Sequence, residues 1–341
     1  MKMIRTIVML PLMCSFWYYN SVDAQESLTM RKLPVSPVIF YDGEGNIGNI
    51  FPRIDNKHGI EDFVVENTEL VSSLLLLNHN GDASQSQQRI VFFHKNCGDY
   101  VRLLFFAALY HQMNNDEERE LLCLEAANQI ADTAASSNSL TGALVSYTCA
   151  NIIVGFLSGP SFESPTVVLN PAVCARLAPT FLNQEHSCAQ MWSRCLKGES
   201  QIDDSKISSA LRVSNDRLFS VDFVAMTRGF SELCRDIANG FVSHSEDEWN
   251  AFQSKADKLN QQLNQPYINP KRIRLNFHRH LATLRCLRGF CEAMQFYVEN
   301  KNLPETVILE PVDGTPVVYQ RFSAKKATFS WKDRQLSFEL P

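Results

Sequence analysis

The sequence predicts a mainly α-helical fold: antiparallel helical hairpins gathered into a bundle, with a small C-terminal antiparallel β-meander packed on the last long helix. Three observations predict it. Apolar residues recur at three- and four-residue steps from Ile60 onward. Helix start signals punctuate the chain, with Asn-Pro at 170–171 and 269–270 and Ser245 followed three residues later by Glu248. The last stretch instead carries short runs of β-branched and aromatic residues, separated by Lys325-Lys326 and Lys332-Asp333-Arg334.

Taken in order, residues 25–59 show little periodicity. Pro34, Pro37, Gly43, Gly45, Gly48 and Pro52 break any helix there, which predicts an irregular arm. Ile60, Phe63, Val64, Leu70, Val71, Leu74 and Leu75 then mark helix, and Asn78 to Asp82 stop it. Residues 100–112 are apolar almost all round, as in a helix covered on most sides. Asn115 is the expected cap of the next helix, with Glu118 three residues on and Asp116, Glu117 and Glu120 near its positive end. A further helix is expected from about Ser139 to Leu157, closed by Ser158-Gly159-Pro160; its apolar stretch from Ala143 is too short for a membrane span. Helix resumes at Asn170-Pro171, with a break expected at Pro179. Residues 198–214 are polar and linker-like, and Asn215 to Gly240 carry a stripe through Phe219, Phe223, Met226, Phe230, Leu233 and Ile237.

The clearest unit follows. Trp249, Phe252, Ala256, Leu259 and Leu263 repeat at heptad spacing behind the Ser245–Glu248 capping box. After Pro266-Tyr267-Ile268, a second heptad helix runs through Phe277, His280, Leu284, Leu287, Cys291, Met294 and Val298. Two such helices joined by a short loop predict an antiparallel hairpin, with Leu284 buried on the seam and Arg285 solvated. Val317–Phe322, Ala327–Trp331 and Leu336–Leu340 are the expected strands.

Composition bounds location and partners. The chain has 341 residues and a net charge of −5, which argues against a nucleic-acid partner held by charge. Lys2 and Arg5, an apolar run from Thr6 to about Met13, and Ser21-Val22-Asp23-Ala24 read as a signal peptide over 1–24, so export to the periplasm or envelope is expected. Lipid anchoring at Cys14 is the alternative, although Met13 stands where a small residue is expected. No stable membrane span is expected after cleavage. The nine cysteines beyond it are irregularly spaced and form no CxxC, so most are expected as buried free thiols with one or two bridges at most. The organisation expected after the arm is an α-helical domain over 60–240 and a hairpin-plus-meander module over 241–341.

The end of the chain carries a family resemblance. After the long helix come Leu303-Pro304 and then Glu310-Pro311-Val312-Asp313-Gly314-Thr315-Pro316-Val317-Val318-Tyr319. This order resembles the region behind the N-terminal helix of type II secretion pseudopilins, where a Leu-Pro step and a Pro/Gly turn lead into a small antiparallel sheet. Here the similar segment is C-terminal, and no prepilin-peptidase site precedes its helix. The wider layout from Ile60 to Phe322 resembles a group of exported, uncharacterised bacterial helical proteins. The residues that carry it are Leu103-Leu104, the acidic start at Asp116, Ser139-Leu140 with Leu144-Val145, Tyr297, and Leu303-Pro304. That resemblance implies no catalytic residue.

Candidate chemistry is sparse. Lys271, Arg272, Arg274, His278, Arg279, Arg285 and Arg288 give the last helix a basic side, expected to match the acids Glu246, Asp247, Glu248 and Asp257 of the helix before it. His278 and His280 are two apart on a helix and point to different faces, so they cannot share an ion; His280 is expected as a core histidine with one hydrogen bond. His186 and Cys188 fail for the same reason. Ser158 is misplaced for a nucleophile elbow, and no HExxH, GxGxxG or Walker loop occurs. Glu310 and Asp313 could form part of a calcium loop, but Asp-Gly is also simply a turn. No catalytic, cofactor-binding or metal-binding residue is therefore assigned, and no cofactor is implied. Two functions are expected to compete: a non-enzymatic exported scaffold that binds another envelope protein, or an exported hydrolase whose active site is assembled from distant residues.

Overall fold

The structure, a computed structural model, describes residues 57–79, 97–136, 138–157, 169–200, 221–263, 268–332 and 334–340. The expected signal peptide, Cys14, the Ser158-Gly159-Pro160 stop and nearly all of the expected arm and polar linker lie outside the described residues. Within them the fold is mainly helical with a small C-terminal three-stranded antiparallel sheet, as the periodicities require.

Short helices α1 (Lys57–Glu66) and α2 (Thr68–His79) meet at Asn67, whose side chain bonds the Phe63 carbonyl at 2.8 Å. Helix α3 (Cys97–Met113) buries ten consecutive or near-consecutive residues from Cys97 to Leu109, which explains its all-round apolar sequence. Helix α4 (Glu117–Ala135) packs along it, and α5 (Leu140–Leu157) packs on both. The α4 cap differs by one residue from expectation. Asn115 takes a left-handed φ of 57°, and Asp116 instead accepts the Arg119 N–H at 3.1 Å. Asn tolerates the left-handed turn, and the next acid inherits the cap. Counted from Leu140 rather than Ala143, α5 has 18 residues and is long and apolar enough, by length and composition alone, to cross a membrane, which corrects the expectation that the stretch is too short. Here its buried residues pack against the neighbouring helices.

The Asn170 side chain caps α6 (Pro171–Ala175), and Pro179 lies in the first turn of α7 (Ala178–Glu199), so the break falls just before that proline. Helices α8 (Val221–Ala238) and α9 (Glu246–Leu263) follow. The capping box forms as written, with Ser245 N–H to Glu248 at 2.7 Å and Glu248 N–H to Ser245 Oγ at 3.3 Å. Asn269 caps α10 (Pro270–Asn300).

Helix α10 is the axis of the molecule. It packs on α9, but more extensively on α7 and α6, and also on α5. Its middle is therefore buried nearly all round, through Ala282, Thr283, Cys286, Gly289 and Phe290 as well as the heptad positions. Lys301 ends it in a left-handed cap (φ 58°), and Leu303 N–H then binds the Ala324 carbonyl at 2.8 Å. Strands β1 (Val318–Arg321), β2 (Lys326–Trp331) and β3 (Arg334–Glu339) pair antiparallel in that order. Tyr319 sits opposite Phe329, and Phe329 opposite Leu336. Phe329, Trp331, Leu336 and Phe338 are buried, and β2 and β3 pack on α10, while Phe322 is exposed. Each large side chain buried this way contributes about 1.5–3 kcal/mol. Gly289 permits the contact: a Cβ there would lie 2.7 Å from the Phe329 ring and 2.9 Å from Leu309.

Candidate functional site

A cleft of about 260 Å³ opens where the α8–α9 turn, α10 and the loop before β1 meet. Local sequence builds each wall. Gly240, at φ 81°, ends the α8 segment and turns the chain so that Phe241 is buried while Val242 is 67% exposed at the lip. His244 precedes the capping box, and its ring packs edge-on to Trp249, at 5.8 Å, in the first turn of α9. This is the geometry of a hydrophobic staple, in which the residue before a cap packs on the fourth residue of the helix. His244 Nε2 also lies 3.1 Å from the Ile237 carbonyl.

Helix α10 supplies Arg274, Phe277, His278 and Leu281, one face of a single helical stretch. The third wall is Pro311, Val312 and Asp313. Asp313 (φ 51°) and Gly314 (φ 67°) make the turn, the Val312–Thr315 bridge closes it, and Trp331 Nε1–H anchors it on the Val312 carbonyl at 3.2 Å.

The rim is ionic. Asp313 faces three basic groups: Arg274 Nη2 at 3.3 Å, His278 Nδ1 at 3.4 Å and Lys332 Nζ at 3.5 Å. Arg274 also pairs with Glu246 of α9, and its guanidinium lies 5.7 Å from the Trp249 ring centre. Burial holds the His278 imidazole below its usual pKa, against the pull of Asp313 and with Arg274 and Lys332 adding to the depression. No serine, cysteine or threonine is among the described residues lining this cleft.

A second, smaller cavity, of about 30 Å³, lies between α4, α5, α7 and α10, with His280, Asn128, Asp132, Ser146 and Gln184 in its lining and exposed Asp132 and Ser187 at its edge. It has room for a water molecule and none for a substrate. Trp192 Nε1–H donates to His280 Nδ1 at 3.2 Å, which puts the imidazole proton on Nε2. Burial pushes the His280 pKa down to about 3, so the ring is neutral. It is the core histidine expected. Asn128 donates to the Leu124 carbonyl at 2.9 Å, while its buried Oδ1 has no hydrogen-bond partner among the described residues.

A third cluster ties α7 to α10. Glu185, 5% exposed at its side chain, accepts from Arg285 Nε at 2.7 Å and from Arg288 Nε at 2.8 Å. Arg288 reaches Glu292 at 2.9 Å and Glu310 at 2.6 Å, and Arg285 donates to the Glu310 and Pro311 carbonyls at 3.0 and 2.6 Å.

These contacts revise several expectations. On the basic side of α10, Arg274 is matched by Glu246 of α9, whereas Arg285 and Arg288 are matched by Glu185 of α7. Arg285 is not solvated, because a tertiary carboxylate one helix away covers it. Glu310 and Asp313 are engaged by cationic side chains rather than shared in one loop, and among the described residues no group of three or more His, Cys, Asp or Glu side chains could hold a metal. His186 is exposed and Cys188 buried, on separate faces. All nine cysteines from Cys97 to Cys291 are free and buried, so the one or two bridges do not form among them. The convergence of Phe241, Val242, His244 and Trp249 with Arg274, His278 and Asp313 was not legible as a site. The capping box gave its one local signal, since it fixes Trp249 against His244. The chain matches no protein-family model, and no curated protein or solved structure is significantly similar to it.

Proposed function

We propose that this chain is a non-enzymatic, exported helical scaffold that binds another protein of the cell envelope through the cleft between α9, α10 and the Asp313 turn. The observation that carries this reading is the cleft's construction. Trp249, Phe241 and Phe277 form an apolar floor, Val242 stands exposed at the lip, and charges ring the rim. A floor of aromatic residues with a polar rim suits a side chain inserted from a partner surface. The signal-like N-terminus and the pseudopilin-like C-terminal order support the envelope as the location.

A photo-crosslinking residue in place of Val242 tests the reading in cells. It should capture a discrete protein partner that the same residue at Leu182, exposed on α7, does not capture. Identical products from both positions would sink it.

The alternative is an exported hydrolase, favoured by one observation, the 3.4 Å approach of His278 to Asp313. Such a pair could activate a water. Ester or amide hydrolysis by the purified chain that disappears in His278→Ala, with unchanged crosslinking at position 242, would favour the hydrolase.

A further inference from the structure

The two edges of the C-terminal sheet are treated differently. Along β3 the exposed positions are polar or charged, α5 packs against the strand, and Arg334 Nη2–H donates to the Tyr147 hydroxyl at 2.7 Å. These are the usual guards of a sheet edge. At the other edge lies β1, whose one extensive neighbour among the described elements is β2. Its solvent face carries Val318, 47% exposed, Gln320, and Phe322 just past the strand, 56% exposed.

The ladder dictates which β1 groups point outward. Phe322 N–H binds the Lys326 carbonyl at 2.8 Å, in the same register that pairs Val318 with Ser330 and Gln320 with Thr328. Hydrogen-bonded pairs alternate along an antiparallel ladder, so 318, 320 and 322 direct their backbone groups to β2. Tyr319 and Arg321 direct theirs away from the sheet.

We propose that β1 pairs with β1 of a second copy of this chain, antiparallel about a two-fold axis at Gln320, joining two three-stranded sheets into one. This inference is independent of the cleft. A two-fold perpendicular to the sheet keeps each residue on its own face, so the residue numbers of opposed partners must sum to an even number. Centring on Gln320 sets Tyr319 against Arg321 of the second copy, and Arg321 against Tyr319. Those are the outward-pointing residues, and they exchange four N–H···O bonds. On the solvent face the same register sets Val318 against Phe322, twice, flanking Gln320 against itself. No like charges are opposed, and the exposed apolar residues cover one another. Arg321 Nε–H donates to the Ser323 carbonyl at 3.0 Å, and Ser323 already turns toward Lys326, which bounds the new ladder at its end. An isologous contact of this kind closes on itself and gives a dimer rather than a fibre.

Sedimentation velocity on the full chain over a concentration series tests this, with a set of β1 variants. Val318 and Phe322 are exposed, so replacing them leaves the core intact. Wild type should dimerise. Val318→Lys with Phe322→Lys opposes lysines at two points and should weaken the dimer by at least about tenfold. Val318→Lys with Phe322→Glu opposes lysine to glutamate at both points and should restore it. Gln320→Cys should give a disulfide-linked dimer on mild oxidation, because the Gln320 pair is a close, non-hydrogen-bonded pair with Cα atoms about 4.5 Å apart. A chain that stays monomeric throughout overturns the proposal. So does a dimer unaffected by the two lysines, and so does one weakened by them that Lys with Glu fails to rescue.

Discussion

Glu120 illustrates how one buried acid can set a pH dependence. It is fully buried in the first turn of α4. One carboxyl oxygen accepts the Asn170 N–H at 2.9 Å, and the other has no hydrogen-bond partner. Burial pushes its pKa up to about 7, with the Asn170 bond opposing and Glu117 adding to the rise. Because the folded value lies above the unfolded one, the folded state holds this proton more tightly. The resulting stabilisation is complete below about pH 4.5 and is lost as pH rises through about 7. Glu120→Gln keeps an acceptor for Asn170 and removes the ionisation. Relative to wild type, the variant should gain on the order of 1–3 kcal/mol between about pH 5 and about pH 8. Urea unfolding at both values measures it; a wild-type-minus-variant difference that does not change with pH would show that Glu120 ionises without penalty. His280 has the opposite sign. Burial depresses its pKa to about 3, so it favours the folded state above about pH 6.5 and costs stability as pH falls toward 3.

Among the elements, α10 shows what sequence can and cannot carry. Its limits were legible: Asn269-Pro270 starts it, and Leu303-Pro304 lies just beyond its end. The heptad seam was legible too, and Leu284 and Leu287 are buried as it requires. The seam does not show which neighbour covers it. Leu284 faces α4, α5 and α7 across the smaller cavity. Nor does a heptad pattern reveal that Arg285, one step off the seam, meets Glu185 from α7, since no local spacing encodes that pairing. Gly289 gave no signal either, because the Phe329 ring that needs its missing Cβ comes from a strand forty residues on. The strands themselves were legible to within a residue or two, because period-2 runs and charged turns are local. Leu284→Asp and Arg285→Asp are accordingly both expected to be damaging. The first buries an unpaired carboxylate; the second sets a carboxylate against Glu185 and strips donors from the Glu310 and Pro311 carbonyls. Each should lower stability by about 3 kcal/mol or more. Chemical denaturation measures both, and a near-wild-type Arg285→Asp would show that the α7–α10 ion cluster contributes nothing.

Across the whole molecule, the thiols report on how continuous the core is. Cys97, Cys123, Cys149, Cys174, Cys188, Cys195, Cys234, Cys286 and Cys291 are distributed over α3, α4, α5, α6, α7, α8 and α10, and every one is buried. Burial pushes the Cys97, Cys123, Cys234 and Cys286 thiols up to about 12 and Cys195 to about 11, and raises the remaining four as well. The reactive species is the thiolate, so raised pKa and exclusion from solvent both suppress attack. These cysteines therefore act as small apolar side chains, and their free state is compatible with an oxidising compartment because oxidation needs access. In native buffer none of the nine should react with a thiol reagent except through opening of the fold. In denaturant all nine should react at once. If the core is one cooperative unit, the nine should become reactive at a common denaturant concentration, matching the loss of helical circular dichroism. Mass spectrometry of the labelled chain resolves each site. Early labelling of Cys234 on α8, with the α3–α7 cysteines still protected, would show instead that α8 opens separately from the core around α10.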